Sequence, residues 1–147
     1  MYFVDSEKIE ETLVYMENIL KVFAGQKEWK SPIEKLALER IVHTAIESIL
    51  DVGNAMIDGF IMRDPGSYED IIDILEDENV ITEDEASDLR DVIRIRKMLV
   101  QQYVRVDDEE VARVFSNSLK SLESFPASVR QYLTNELGPV SAFLPKK

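Results

Sequence analysis

The feature that most constrains the fold is a long amphipathic segment that opens with a complete helix-capping signal. In the run Ser31-Pro32-Ile33-Glu34, serine can cap a helix, proline suits its first turn, and the glutamate completes a capping box. Apolar residues then recur every three or four positions, which predicts one helix to about Arg63, roughly 30 residues and about 45 Å long. Gly53 within this stripe indicates close approach by another helix. The stripe consists of Val42, Ile46, Ile49, Gly53, Met56 and Phe60.

Caps, apolar periodicity and stop signals predict further helices on both sides of this one. Their predicted limits are Asp5 to Gly25, Ser67 to the break at Asn79, Thr82 to Tyr103, Asp107 to Phe125-Pro126, and Ser128 to Leu137 before Gly138-Pro139. No run shows sustained strand alternation, and short connections make consecutive helices antiparallel neighbours. We therefore predict an all-α fold, an up-and-down antiparallel helical bundle of five main helices and a short C-terminal one. The whole of residues 1–147 should form a single domain.

Charge and composition exclude several classes of function. The chain has 29 acidic and 17 basic residues, and a net charge of -12 argues against a general nucleic-acid binder but not against a local phosphate site. Cysteine is absent, so disulfides, thiolate metal sites and cysteine nucleophiles are absent too. No signal peptide is visible, and the uncharged runs fall short of the roughly 20 residues of a membrane span. We expect a cytoplasmic protein without membrane association.

One basic segment stands out against this acidic background. Between Arg90 and Arg105 there are five basic residues and one acidic residue, whereas eleven acids lie between Glu69 and Asp91. We interpret those acids as a solvated face. Helical spacing places Arg96 and Tyr103 in the apolar stripe of the fourth predicted helix, so both should need polar partners.

The remaining candidates for chemistry lie in the second predicted helix. His43, Glu47 and Asp51 follow one another at steps of four, which is typical of a polar stripe. The two carboxylates could bind a cation, but they are better explained as partners for the arginines of the fourth helix. Because His43 is the sole histidine and the glycines are scattered, we predict no histidine metal site, no phosphate-binding glycine loop and no cofactor.

The segment from Arg96 to Tyr103 resembles the R-x4-H-x-Y signature of HepT-like proteins in the HEPN superfamily, and it is most similar to their YutE-like branch. The resemblance extends from the Met1-Tyr2-Phe3-Val4-Asp5 start to the Gly138-Pro139-Val140-Ser141 ending. It implies a metal-independent ribonuclease toxin whose active site forms across a homodimer. It also implies a minimal nucleotidyltransferase antitoxin that attaches AMP to the motif tyrosine.

Transferred to this sequence, the resemblance makes Arg96, Gln101 and Tyr103 the catalytic motif positions. Arg94, Arg96 and Lys97 would bind the RNA phosphate, and Tyr103 would accept AMP. Gln101 replaces the motif histidine, and an amide does not titrate, so an activity that needs proton transfer near pH 7 should be weak or lost.

Three functions are consistent with these residues. The first is a ribonuclease toxin with reduced or altered activity. The second is a catalytically inactive relative that binds RNA, a nucleotide or a nucleotidyltransferase through Arg94, Arg96, Lys97 and Tyr103. The third is a dimeric helical interaction module without catalysis. In each, a homodimer is expected through the long helices, at the Gly53 stripe with the apolar positions Val52, Ala55 and Ile61.

Overall fold

The computed structural model describes residues 4–138, and within them it contains helices and turns but no strand. The predicted all-α, up-and-down helical bundle is confirmed. Its helices are α1 (Ser6–Gly25), α2 (Pro32–Gly59), α3 (Tyr68–Asp77), α4 (Glu83–Ile93), α5 (Arg96–Gln101), α6 (Asp108–Asn117) and α7 (Leu119–Leu137), with a 3-10 turn at Tyr103–Arg105. None of the helices in this described part is long and apolar enough to cross a membrane.

The local signals at the helix ends are confirmed where the structure describes them. The predicted caps at Asp5, Ser31, Ser67, Thr82 and Asp107 each accept a hydrogen bond from a first-turn amide. The capping boxes of α2 and α4 are complete, whereas Glu110 of α6 bonds to Arg113 instead of closing its box. Gly138 ends α7 with φ 84°, a conformation that favours glycine, and Pro139 lies outside the described residues.

Helix α2 lies at the centre of the bundle and packs against α1, α3, α5 and α6. At Gly53 an added Cβ would lie 2.4 Å from Cγ2 of Ile71, so the predicted close approach is confirmed, and the approaching helix is α3 of the same chain. Val52 is also part of the core, while Ile61 is exposed. The Gly53 stripe, on which the expected dimer contact was based, is therefore used within the chain.

Outside the basic segment, two predicted helix ends are wrong. Helix α2 stops at Gly59 and not near Arg63, because the Met62 amide bonds to the Ile57 carbonyl and closes the helix end. Pro126 does not end a helix but lies inside α7, which contains the whole of the predicted sixth helix and is separated from α6 at Ser118. Burial of Phe125 and Val129 on either side of the proline favours a continuous helix over its local cost.

Helices α4 and α7 meet through polar side chains, which the sequence reading missed. Glu85 is only 7% exposed, and its carboxylate accepts hydrogen bonds from the hydroxyls of Ser124 and Ser128. Three residues before Ser124 on α7, Ser121 donates to the carboxylate of Asp88 at 2.6 Å. Each of these polar groups is satisfied, as burial requires.

Arg130 joins α7 to α1 through two carboxylates. Its guanidinium donates to both carboxylate oxygens of Glu10 at 2.8 Å, and to those of Glu17 at 2.8 and 3.0 Å. Hydrogen bonding to these glutamates raises the pKa of Arg130, and the same contact lowers the pKa of Glu17. The Arg130 side chain is 26% exposed, so this contact is partly shielded from solvent.

Two acidic residues, Glu39 on α2 and Asp108 on α6, lie next to each other. Burial and the adjoining carboxyl of Asp108 raise the pKa of Glu39 to about 7. The Oδ1 atom of Asp108 is buried, and no residue among 4–138 donates a hydrogen bond to it. A protonated Glu39 can donate a hydrogen bond to the Asp108 carboxylate, whereas an ionised Glu39 faces a like charge.

The Glu39–Asp108 pair should make stability depend on pH. Because the folded-state pKa of Glu39 is raised from 4.5 to about 7, its favourable contribution is complete below pH 4.5 and is lost as pH rises through 7. Glu39→Gln should therefore raise the free energy of unfolding at pH 8 by about 1 kcal/mol, after allowance for solvent screening, and change it little at pH 5. Urea unfolding at both pH values measures this difference. Glu109→Gln, an exposed carboxylate on α6, is the control, and an equal gain at pH 5 and pH 8 would contradict the expectation.

Candidate functional site

The basic segment does not form the single helix that its spacing predicts. Helix α4 ends at Ile93, and α5 begins at Arg96. Between them the Ile95 amide bonds to the Val92 carbonyl three residues back, which is the tighter 3-10 pattern. Helix α5 ends at Gln101, and Tyr103 starts the following 3-10 turn. The prediction that the fourth helix continues through Tyr103 is wrong, and so is the placement of Tyr103 in an apolar stripe, because this residue is 69% exposed.

Arg96 does lie partly inside the protein, with 20% of its side chain exposed. Its Nε donates to Oε1 of Glu47 on α2 at 2.7 Å, and its guanidinium carbon lies 4.4 Å from the ring centre of Tyr68 on α3. The hydrogen bond to Glu47 raises the pKa of Arg96. The prediction that the two α2 carboxylates meet arginines is thus confirmed for Glu47 and wrong for Asp51, which pairs with no arginine among residues 4–138. Within residues 4–138, neither terminal nitrogen of Arg96 donates a hydrogen bond to protein.

These contacts open onto a cleft between α3 and α5. The cleft has a volume of about 540 Å³ and is lined by Ser67, Tyr68, Glu69, Ile93, Arg94, Arg96, Lys97 and Gln101. The structure therefore brings together four of the five predicted site residues. Tyr103 is the exception, since it follows α5 and does not line the cleft.

Acids of α3, together with Asp91 of α4, neutralise part of the basic segment. Arg94 pairs with Glu69 at 2.9 Å and with Asp91 at 3.0 Å, and Arg90 pairs with Asp73 and Glu76. The interpretation of these acids as a solvated face is therefore wrong for the members that bind arginine. Lys97 and Arg105 form no ion pair with any residue that the structure describes. Lys97 is the cleft cation whose charge is not already compensated.

The sole histidine lies beside the same cluster. Nε2 of His43 is 3.5 Å from Oε1 of Glu47, the oxygen that also accepts the hydrogen bond from Arg96. About a third of the imidazole is exposed. The expected polar stripe on α2 is present, but sequence reasoning missed its proximity to the motif arginine. The i, i+4 spacing from Glu47 was the available signal, once Glu47 was matched to Arg96.

A larger cleft, of about 1000 Å³, lies between the end of α1, the α1–α2 connection and α6. Its lining includes Trp29, whose ring stacks on Phe23, together with basic and acidic side chains in similar number. None of the predicted site residues lines it. Size alone therefore does not select it as the functional site.

Comparison with known proteins gives matches over most of the chain. The sequence pattern of the family described as Ribonuclease HepT-like matches residues 9–129. The chain is 56% identical to YutE of Bacillus subtilis (strain 168) over 143 residues, which is 97% of this chain and 99% of that protein. The solved structure of YutE, described as a cytosolic protein of unknown function, superposes with a TM-score of 0.94 over 97% of this chain and all of that one.

More distant structural matches come from toxin–antitoxin complexes. One is a toxin–antitoxin structure with AMP-PNP, which has a TM-score of 0.72, 16% identity, and coverage of 86% of this chain and 97% of that chain. Another is a tri-AMPylated HEPN toxin of Shewanella oneidensis in complex with an MNT antitoxin, with a TM-score of 0.71, 16% identity, and coverage of 86% and 96%. At this identity the likeness concerns the fold alone.

Proposed function

The chain belongs to the HepT-like ribonuclease family, and from this premise we propose that it is the RNA-binding member of a toxin–antitoxin type system, acting in the cytoplasm as a homodimer. The observation that carries the proposal is the cleft in which Arg94, Arg96 and Lys97 meet the motif position Gln101. Metal-independent endoribonuclease activity of the motif alone is weak or lost, because the amide of Gln101 cannot transfer a proton.

The contacts of Arg96 suit it to bind phosphate. Glu47 holds Nε and the Tyr68 ring supports one face of the guanidinium, so the side chain is fixed before a ligand arrives. The terminal nitrogens can then donate two hydrogen bonds to one phosphate group. Lys97 adds an uncompensated positive charge in the same cleft.

RNA binding tests this assignment. Fluorescence anisotropy with a labelled single-stranded RNA should show at least a tenfold weaker affinity for Arg96→Ala, which corresponds to about 1.4 kcal/mol. Lys97→Gln should lower the salt dependence of binding by about 0.7 in the log–log slope, as expected for one lost phosphate contact. Arg113→Gln is the control, because Arg113 is an exposed α6 arginine paired with Glu110. Equal losses in all three variants would contradict a specific site and leave a dimeric interaction module as the alternative.

The homodimer is proposed to cover the surface beside the cleft. Val104 is an exposed apolar side chain in the 3-10 turn that follows α5, and a partner subunit would bury it. Light scattering at micromolar concentration should give twice the chain mass of 16.9 kDa. The monomer mass would contradict the dimer.

Tyr103 is the proposed acceptor of AMP from a minimal nucleotidyltransferase antitoxin. Its exposure on a 3-10 turn, outside the cleft, leaves the side chain accessible to a second enzyme. Mass spectrometry of the protein from its native host should find AMP on Tyr103, and Tyr103→Phe should abolish it. AMP on other residues in the Phe variant would contradict the assignment.

A further inference from the structure

We propose that His43 is the proton-transfer residue of this site, in place of the histidine that Gln101 replaces in the motif. The inference rests on the proposed function, because it concerns cleavage of an RNA strand held by Arg96. It assigns a catalytic role to a residue on α2, far in sequence from the α5 motif.

The geometry that supports this role is a shared carboxylate oxygen. Oε1 of Glu47 contacts Nε of Arg96 at 2.7 Å and Nε2 of His43 at 3.5 Å. Both nitrogens therefore lie within 3.5 Å of one atom, which places the imidazole beside the guanidinium that would hold the phosphate. A base oriented by a carboxylate next to the reacting group is the usual arrangement for proton transfer.

The two ring nitrogens of His43 face different surroundings. Nε2 faces Glu47, and no residue among 4–138 forms a hydrogen bond with Nδ1. About a third of the imidazole is exposed, and because Nε2 faces Glu47 we assign Nδ1 as the nitrogen that takes the proton. Imidazole is also the side chain whose protonation equilibrium suits proton transfer near neutral pH.

The proposed step is attack by a ribose 2′-hydroxyl on the adjacent phosphorus. The 2′-oxygen–phosphorus bond forms, the bond from phosphorus to the 5′-oxygen breaks, and the product is a 2′,3′-cyclic phosphate. Nδ1 of His43 takes the proton of the 2′-hydroxyl, the departing 5′-oxygen takes a proton from water, and the imidazolium later returns its proton to solvent. Arg96 stabilises the charge on the phosphate oxygens throughout.

If His43 had only a structural role, its substitution would have a different effect. In that case the imidazole would only pair with Glu47 along α2, and Gln at this position, which can also donate to Glu47, would serve as well. The discriminating measurement is therefore the rate of cleavage at unchanged affinity for RNA.

The experiment uses the full-length protein with a single-stranded RNA and an excess of metal chelator. Single-turnover cleavage and RNA affinity are measured on the same preparations of wild type, His43→Gln, His43→Ala and Arg96→Ala, with Arg113→Gln as the control. We expect His43→Gln to cleave about 10²-fold more slowly or worse, with an affinity within about twofold of wild type. Added imidazole should restore part of the rate to His43→Ala but not to Arg96→Ala.

The outcomes separate this inference from the proposed function. Equal cleavage by wild type and His43→Gln, or RNA binding that depends on Arg96 without any cleavage by wild type, overturns the role of His43 and leaves the RNA-binding function in place. Absence of RNA binding by wild type overturns both. A substrate with 2′-deoxyribose at every position should not be cut, and its cleavage would overturn the proposed step.

Discussion

Replacing Gln101 by histidine should raise the rate of metal-independent RNA cleavage by about 10²–10⁴-fold, the usual contribution of a general acid or base. Residue 101 lines the same cleft as Arg96 and Lys97, so a new imidazole there would share the cleft with the groups that bind phosphate. The side chain is exposed at the end of α5, and the substitution should not disturb the core. Single-turnover cleavage with chelator present measures the gain.

The neighbouring residue provides a matched control. Gln102 is also an exposed glutamine, but it does not line the cleft, so Gln102→His should leave the rate unchanged. The gain in Gln101→His should disappear when Arg96→Ala is added. It should persist as a ratio when His43→Gln is added, because the new histidine can protonate the departing 5′-oxygen, which takes its proton from water in wild type. Equal gains from Gln101→His and Gln102→His would show that position in the cleft is irrelevant.

The second large effect is expected at the contact between α7 and α1. Arg130→Ala should lower the free energy of unfolding by about 2–3 kcal/mol at pH 7, because it leaves Glu10 and Glu17 close together without their cation. Losses of 3–5 kcal/mol are typical when a fully buried pair is broken, and partial exposure of all three side chains reduces the value here. Urea unfolding of both proteins measures the difference.

The effect of Arg130→Ala should shrink in acid. Because Arg130 lowers the pKa of Glu17 below 4.5 in the folded protein, the stabilisation is complete above pH 4.5 and is lost as pH falls through the lowered pKa. Arg113→Ala is the control, since its exposed pair with Glu110 should be worth less than about 0.5 kcal/mol. A loss at Arg130 that is no larger than at Arg113, or that does not change with pH, would contradict this account.

Local signals predicted much of the fold. The cap residues Ser31, Ser67 and Thr82 satisfy amides within their own first turns, so sequence alone locates those helix starts. The helix break before Arg96 and the continuation of α7 through Pro126 depend instead on packing between distant segments. The spacing of apolar residues along the sequence predicts neither the helix break nor the continuous α7.

Sequence likewise predicted some features of the candidate site but not those that depend on helix packing. The family signature located Arg96, and its need for a carboxylate pointed correctly to Glu47 on another helix. The signature could not show that Tyr103 leaves the helix, nor that His43 shares an oxygen of Glu47 with Arg96, because both depend on how α5 is placed against α2. Spacing within one helix carries no information on that placement.

The serine contacts of α7 restrict how this helix can sit on α4. Apolar side chains tolerate a slide of one helical turn, since one aliphatic surface can replace another. Glu85 tolerates such a slide less well, because loss of the Ser124 and Ser128 hydroxyls would leave this buried carboxylate short of donors, with only the Thr82 amide remaining. Such a group costs about 1–3 kcal/mol or more. The polar contacts therefore favour the observed register of α7 on α4 by a free energy that apolar contacts alone would not supply.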